Sequence, residues 1–469
     1  MPCYHFPPRH LPSSTIVYHL TRYAVCQRQA PLHAGIMTAA TAFHYHRNSA
    51  LRARHTVHPR KQREHVEYQG IPPELWLHTF SFLQGDKVDL ANLTMVSKSF
   101  TTLAQPLVFQ HIVIRPVCGQ HPSFGRLTCR KDYREWITSR IQFCTQERIA
   151  HAVTAIEFSP AINYAMRERK GIEVAAVADM VIRMLPLFLR LKSFRCAHLV
   201  LQPHHLYTIS GMTNLRSFHT TNCHLSDDFH DHNHQDPVEE FSMAWQVDTA
   251  NMLGVTLSPH SHQRWFLFMH PNNLRTLNLA PLDPFLNPML EDLVDRGLQF
   301  HALSSLSLPW MAIESKSFVP LLECVPLLQE LRFTVRPSHR TITMAHPLPG
   351  HVLRNLSVLE APNHALPFFL ENKSLRELSC AAVHDGGSLP TEIISAFDAL
   401  PAEAFQKLEK LSLDVKRLSN ELLDCLVKKV PLVTVLNLEV MGLAWGPIPG
   451  PLEVHTAKVR RNVAQSCHP

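Results

Sequence analysis

Hydrophobic positions recur along this chain in two rhythms, and each predicts its own architecture. Between residues 70 and 115 the spacing is helical. After Gly70-Ile71-Pro72-Pro73-Glu74, apolar residues return at Leu75, Phe80, Phe82 and Leu83, until Gln84-Gly85-Asp86 closes the first helix. Proline at the start costs no hydrogen bond, because that N–H has no helical partner, and Glu74 faces the positive end of the dipole. A second stretch holds Val88, Leu90, Leu93, Val96 and Phe100. A third runs through Leu103 and Ala104 to Pro106, after which Leu107, Phe109, Ile112 and Ile114 read as extended. Three short helices in so few residues bury little surface, so the module needs a partner or a neighbouring domain to cover it.

From about residue 150 the rhythm becomes L-x-x-L-x-L, a strand whose marked positions turn inward while their neighbours face out. Copies begin at Leu191, Leu215, Leu274, Leu303, Leu328, Leu356, Leu375, Leu408 and Val433. Their starts lie 24, 59, 29, 25, 28, 19, 33 and 25 residues apart. The 59-residue gap reads as an insertion over about 226–264. Helix-like runs at 174–189, 318–328 and 418–430 fall between copies, so each unit reads strand, loop, helix. The expected fold is α/β: a short three-helix module over 70–115, a connector over 116–149, then a leucine-rich-repeat solenoid over 150–444. Its parallel sheet would line the concave side, with helices outside. The stretch 1–69 is expected to be a basic, disordered tail, and 445–469 a loose Pro/Gly-rich one.

Composition adjusts this picture in few places. A hydrophobic fraction of 45% and a charged fraction of 18% in 469 residues suffice for packed cores. The net charge of +6 is a property of the tail. No acid precedes Glu64, and nine of the 45 Lys and Arg residues do, which leaves 36 bases against 39 acids downstream. Nucleic acid is therefore not an expected partner of the body. The tail reads as a solvated segment or sequence upstream of a start such as Met37, with a transit segment or a nuclear address at 60–63 as alternatives. Eleven cysteines, odd in number and without a CxxC pair, read as reduced, buried thiols of cytoplasm or nucleus. The most apolar run, 174–191, is broken by Asp179, Arg183 and Pro186, so no membrane span is expected.

The common phosphate, dinucleotide, zinc-protease and nucleophile-elbow motifs do not occur, and no catalytic residue is expected. One ligand-like run exists: Cys223-His224 followed by Asp227, Asp228, His230, Asp231, His232, His234 and Asp236. Donors at that density can hold a transition metal if geometry fixes them. The run nevertheless reads as a solvated loop, and no metal or cofactor is expected. Binding is instead assigned to the outward strand positions, above all Arg195, His219, Asn278, Glu330, Arg332, Glu377, Lys410, Asp414, Asn437 and Glu439. Basic and imidazole groups lead this series and carboxylates follow.

The helical module closely resembles the F-box family, in the form common among fungal members. The matched positions are Pro72, Glu74, Leu75, Phe80, Leu83, Leu90, Val96, Ser97, Lys98 and Phe100, extended by 103–109. Ile71 stands where Leu is usual, and Thr79 where an aliphatic is usual. The resemblance covers about a tenth of the chain. It implies that Ile71, Pro72, Glu74, Leu75, Phe80, Leu83, Leu90, Val96, Ser97 and Phe100 dock on the Skp adaptor of a cullin-RING ubiquitin ligase. The repeats would then select an unknown protein target, and catalysis would belong to other subunits. The alternatives are an F-box scaffold that binds the adaptor without directing ubiquitylation, and a metal-dependent enzyme.

Overall fold

The computed structural model describes residues 71–83, 85–120, 127–130, 132–163, 172–226, 238–245, 263–280, 283–334, 348–369, 375–381, 387–400 and 402–440. The expected tails 1–69 and 445–469, and the run 227–236, lie outside the described residues. The chain divides into two units, Met1–Gln110 and His111–Pro469.

The first unit contains α1 (Pro73–Ser81), α2 (Lys87–Leu93) and α3 (Lys98–Phe109). Each start has a local cause. Pro72 and Pro73 preset the first turn of α1, the Asp86 carboxylate accepts from Val88 and Asp89 N–H at 3.0 and 3.1 Å, and the Ser97 hydroxyl accepts from Phe100 N–H at 3.1 Å. Phe80, Leu90 and Ala104 form the centre of a small core, with Trp76, Leu83, Leu93, Phe100, Leu103 and Leu107 packed around them. The rings of Phe80 and Phe100 meet edge to face at 5.2 Å, and Trp76 lies 4.9 Å from Phe100. Helix α3 runs through Pro106 instead of ending there. In the last turn proline's φ suits a helix, so the cost is one lost backbone bond, and Leu103, Leu107 and Val108 remain on the core side.

The second unit opens with β1 (His111–Ile114), β2 (Val117–Gln120), β3 (Leu127–Cys129), α4 (Asp132–Cys144), α5 (Glu147–Ala150), β4 (Ala155–Phe158), β5 (Ala161–Ile162), β6 (Ile172–Glu173) and α6 (Val174–Met184). Then come β7 (Ser193–Ala197), β8 (Val200–Leu201), α7 (Pro203–Ser210), β9 (Ser217–Thr221), β10 (His224–Leu225), β11 (Glu240–Ala244), β12 (Thr276–Ala280) and α8 (Asp283–Asp295). The remainder is β13 (Ser305–Pro309), α9 (Phe318–Glu323), β14 (Glu330–Thr334), β15 (Val358–Pro362), α10 (Leu366–Phe369), β16 (Glu377–Ala381), α11 (Pro390–Asp398), β17 (Lys410–Val415), α12 (Asn420–Lys429) and β18 (Val435–Val440).

Twelve of these strands form one open parallel sheet in the order β1-β4-β7-β9-β11-β12-β13-β14-β15-β16-β17-β18. The chain is thus α/β, with a large parallel sheet and helices. One backbone device recurs at every junction from β4 to β18: the carbonyl before a strand accepts two N–H bonds from the start of the next. Arg216 takes them from Glu239 and Glu240, and Arg275 from Ser304 and Ser305. On the buried face the register sets Ile156, Phe194, Phe218, Phe241, Leu277, Leu306, Leu331, Leu359, Leu378 and Leu411 side by side. Helical residues cover that face. Phe318 of α9 and Phe369 of α10, for example, flank Phe333 at 6.0 and 5.5 Å.

Three strands of this sheet differ from the sequence reading. Residues 226–264 do not form one long insertion, because β11 lies within them and pairs with β9 and β12. Its inward positions are Val238, Phe241 and Met243, so the leucine pattern fails while the burial pattern holds. Strand β4 likewise uses Val153, Ile156 and Phe158, and β1 places Ile112 and Ile114 in the sheet, which moves the boundary of the first unit from 115 to Gln110. The expected connector 116–149 holds β2, β3, α4 and α5, with Cys118, Cys129, Ile137 and Ile141 buried. Leaving β16, the chain bends at Gly387 (φ +76°), where a Cβ would come within 2.7 Å of the backbone at Val415 and Lys416.

Two outcomes follow. Leu277 and Leu411 are both fully buried in the row, with a strand on either side, whereas Leu436 of the end strand β18 is half-buried. Leu277→Ala and Leu411→Ala are expected to cost about 2–5 kcal/mol each and Leu436→Ala distinctly less, read from urea unfolding midpoints. Acid is also expected to destabilise the second unit. His224, 4% exposed and stacked on Trp245, is driven down to about 4 by burial, so it is neutral when folded and takes a proton when unfolded. Its contribution is complete above pH 6.5 and disappears as pH falls from 6.5 to 4, by about 3 kcal/mol in all. Burial shifts His198, His205 and His219 the same way. Unfolding measured at pH 7 and 5 is expected to show a smaller loss in His224→Phe than in the native chain.

Candidate interaction surfaces

The first unit places its predicted docking residues in two groups. Phe80 is 1% exposed and Leu90 fully buried, and the half-buried Leu83 and Phe100 pack on them, so these four hold the helices together. Ser97 is spent on capping α3. Ile71, Pro72, Glu74, Leu75 and Val96 face solvent. Leu77, Phe82 and Met95, which were not predicted, join them: Phe82 is 76% exposed, Met95 70%, Val96 66% and Leu75 56%. Thr79 is also exposed, its hydroxyl donating to the Leu75 carbonyl at 2.9 Å, so the departure there removes nothing from the core. The helical period locates an apolar stripe, but a helix with apolar residues on more than one face does not itself say which side packs inward.

The second unit presents an open face made of the outward strand positions, aligned by register. One row reads Glu157, Arg195, His219, Ser242, Asn278, Ser307, Arg332, Glu360, Ser379, Ser412 and Asn437. Glu330, Glu377 and Lys410 lie in the row before it, and Asp414 and Glu439 in the row after. All ten predicted positions therefore share one face. Their neighbours already engage several of them: Ser217 Oγ donates to Glu240 at 2.8 Å, Ser305 Oγ to Glu330 at 2.6 Å, and Lys410 Nζ pairs with Glu377 at 3.0 Å. Arg332 chelates Glu330. Among the described residues, Asn278 Oδ1 is buried and meets no hydrogen-bond partner.

Charge is uneven along this face. Between β14 and β18 the carboxylates Glu330, Glu360, Glu377, Asp414 and Glu439 stand against Arg332 and Lys410. Burial, then the charges of Asp414 and Glu330, raise the Glu360 carboxyl, with Arg332 opposing. Burial lowers the His219 imidazole against the pull of Glu240, and Arg195 adds to that lowering.

A further polar cluster went unrecognised in the sequence. Asp179 of α6 meets His204 and His205 of α7, with Nε2 atoms at 2.8 and 3.2 Å, and Arg183 at 3.0 Å. Burial raises the Asp179 carboxyl, but these hydrogen bonds outweigh it and hold the group below the usual range. The donor types suit a metal; the protonation does not. The Gln202 N–H donates to His205 Nδ1 at 3.1 Å, so the ring proton sits on Nε2, where it bonds to Asp179. The cluster caps α7 and ties it to α6. Of the run expected as a ligand candidate, Cys223 and His224 are buried within the second unit, and Asp227 to Asp236 lie outside the described residues. A small apolar cavity of about 10 Å³, lined by Ile112, Ile141, Cys144 and Phe188 among others, has room for one water. Among the described residues no helix is long and apolar enough to cross a membrane.

Compared with protein-family models and with curated protein sequences, the chain has no match.

Substitutions on the open face separate recognition from stability. Arg195 is exposed, so Arg195→Glu is expected to change stability by no more than about 0.5 kcal/mol. Lys410→Glu sets two carboxylates together at Glu377 and is expected to cost up to about 1 kcal/mol. Thermal melting of both variants beside the native chain checks the order.

Proposed function

We propose that the chain is an F-box-type substrate-recognition subunit of a Skp–cullin–F-box ubiquitin ligase. In this reading the three-helix unit docks on the Skp adaptor, and the strand repeats form a leucine-rich-repeat solenoid whose open face holds a protein target. The observation that carries it is the surface of the first unit. A module of three short helices has a core of its own and still exposes Ile71, Leu75, Leu77, Phe82, Met95 and Val96. Apolar exposure at that density marks a surface that a partner covers. Three of those residues, Ile71, Leu75 and Val96, are among the docking positions that the F-box resemblance implies.

The repeat array supports the second half of the reading. Its outward residues are polar, in register and only partly engaged with one another, as suits a surface that exchanges water for a partner's groups. The contribution of such a subunit is proximity. Holding a target lysine near a charged ubiquitin-conjugating enzyme replaces a bimolecular encounter by an effectively intramolecular one. No bond is made or broken by the chain itself.

The test sets exposed residues against buried ones. Leu75→Asp combined with Val96→Asp is expected to abolish co-purification of the Skp adaptor while far-ultraviolet circular dichroism stays native. Phe80→Ala is expected to lose the adaptor by unfolding the first unit, at about 3–5 kcal/mol. Retention of the adaptor by the folded double variant would overturn the docking assignment. Recovery of the adaptor but never of a cullin with the native chain would favour the scaffold reading.

A further inference from the structure

The second unit contains a small sheet in the order β5-β2-β3-β6, in which β2 and β3 run antiparallel. Register puts Cys118 directly opposite Cys129, and their sulfurs are 2.9 Å apart. Facing residues of an antiparallel pair have Cα atoms about 4.5 or 5.5 Å apart, depending on the kind of pair. Both values lie within the Cα spacing a disulfide spans, about 4.4–6.8 Å, so closure needs no movement of the strands. Among the described residues no other thiol contact is comparable: Cys196 and Cys223 are 3.8 Å apart, on segments that do not oppose one another in a ladder.

We propose that Cys118 and Cys129 form a redox pair that hydrogen peroxide closes to a disulfide, locking the β2–β3 hairpin. In the closed hairpin both thiols are fully buried, and the hydrogen bond from Cys129 together with burial holds the Cys118 thiol far above the usual range. The pair is inert in that state. The ladders flanking it are short, two residue pairs between β2 and β5 and two between β3 and β6, so local opening is cheaper here than in the twelve-stranded sheet.

Once one thiol is exposed, its thiolate attacks the peroxide. The O–O bond breaks, a sulfenic acid forms, and the departing oxygen leaves as water with the thiol's proton. The facing sulfur then attacks the sulfenic sulfur. The S–O bond breaks and a second water carries away the hydroxyl and the second thiol's proton. Two thiols have lost two electrons to one peroxide, which has become two waters. Helix α6 packs on β3 and β6, so the closed disulfide braces the end of the unit where β1 and β4 begin the large sheet.

The experiment uses the full chain, purified reduced and then exposed to hydrogen peroxide without reductant. Free thiols are alkylated, and the digest is mapped by mass spectrometry. The expected result is a peptide linked through Cys118 and Cys129 that appears before any other pair, disappears with dithiothreitol, and accompanies slower amide exchange in residues 117–120 and 127–129. Cys144→Ser is expected to leave the link intact, and Cys129→Ser to leave a sulfenic acid on Cys118 that a dimedone probe captures. Alkylation of both thiols after peroxide, while other cysteines have oxidised, would overturn the proposal. A link that forms only in denaturant would overturn it as well.

Discussion

The second unit depends on the lateral register of its parallel strands. A strand side chain points to one face or the other with a period of two, so a slip of one residue would turn every inward Phe and Leu into solvent. From Ile156 through Phe218 and Leu277 to Leu411, each inward residue lies beside its counterpart on the next strand. The paired N–H bonds to one carbonyl at every junction from β4 to β18 repeat that alignment in the backbone. Register is therefore over-determined, and the outward residues inherit it. A row of polar side chains on the open face is a by-product of the apolar row beneath it.

The open face keeps much of its hydrogen-bonding capacity in hand. Ser217 with Glu240, Ser305 with Glu330, and Lys410 with Glu377 brace neighbouring strands, yet each pair is partly in water and contributes little to stability. What these pairs do is hold side chains in place. Burial first, then the charges of Asp414 and Glu330, raise the Glu360 carboxyl against Arg332, in a part of the face where carboxylates outnumber bases. Opposite charge on a partner would set its orientation more than its affinity.

The first unit works under the opposite constraint. Its three helices bury Phe80, Leu90 and Ala104, which is a small core, and leave Phe82, Met95 and Val96 in solvent. Aromatic contacts among Trp76, Phe80 and Phe100 concentrate what burial there is. A module so divided has a small core and an exposed apolar surface beside it.

Much of the architecture was legible in the residues alone. Leucine at fixed inward positions located the strands of the large sheet from β7 to β18 other than β11, and the polar positions between them marked the open face. Proline marked the start of α1 through its preset φ, whereas Asp86 and Ser97, which cap α2 and α3, were not read as helix starts. Strands β4 and β11 escaped the pattern because burial selects volume and not the name of the residue: Ile156 and Phe158, or Phe241 and Met243, fill the same layer as leucine. Tertiary structure alone decided which apolar residues of the first unit are core and which are surface, since Phe80 and Phe82 are indistinguishable until a second helix covers one of them. It alone brought Asp179 to His204 and His205, and Cys118 to Cys129, because contacts between separated segments depend on pairing and packing, which local spacing does not encode.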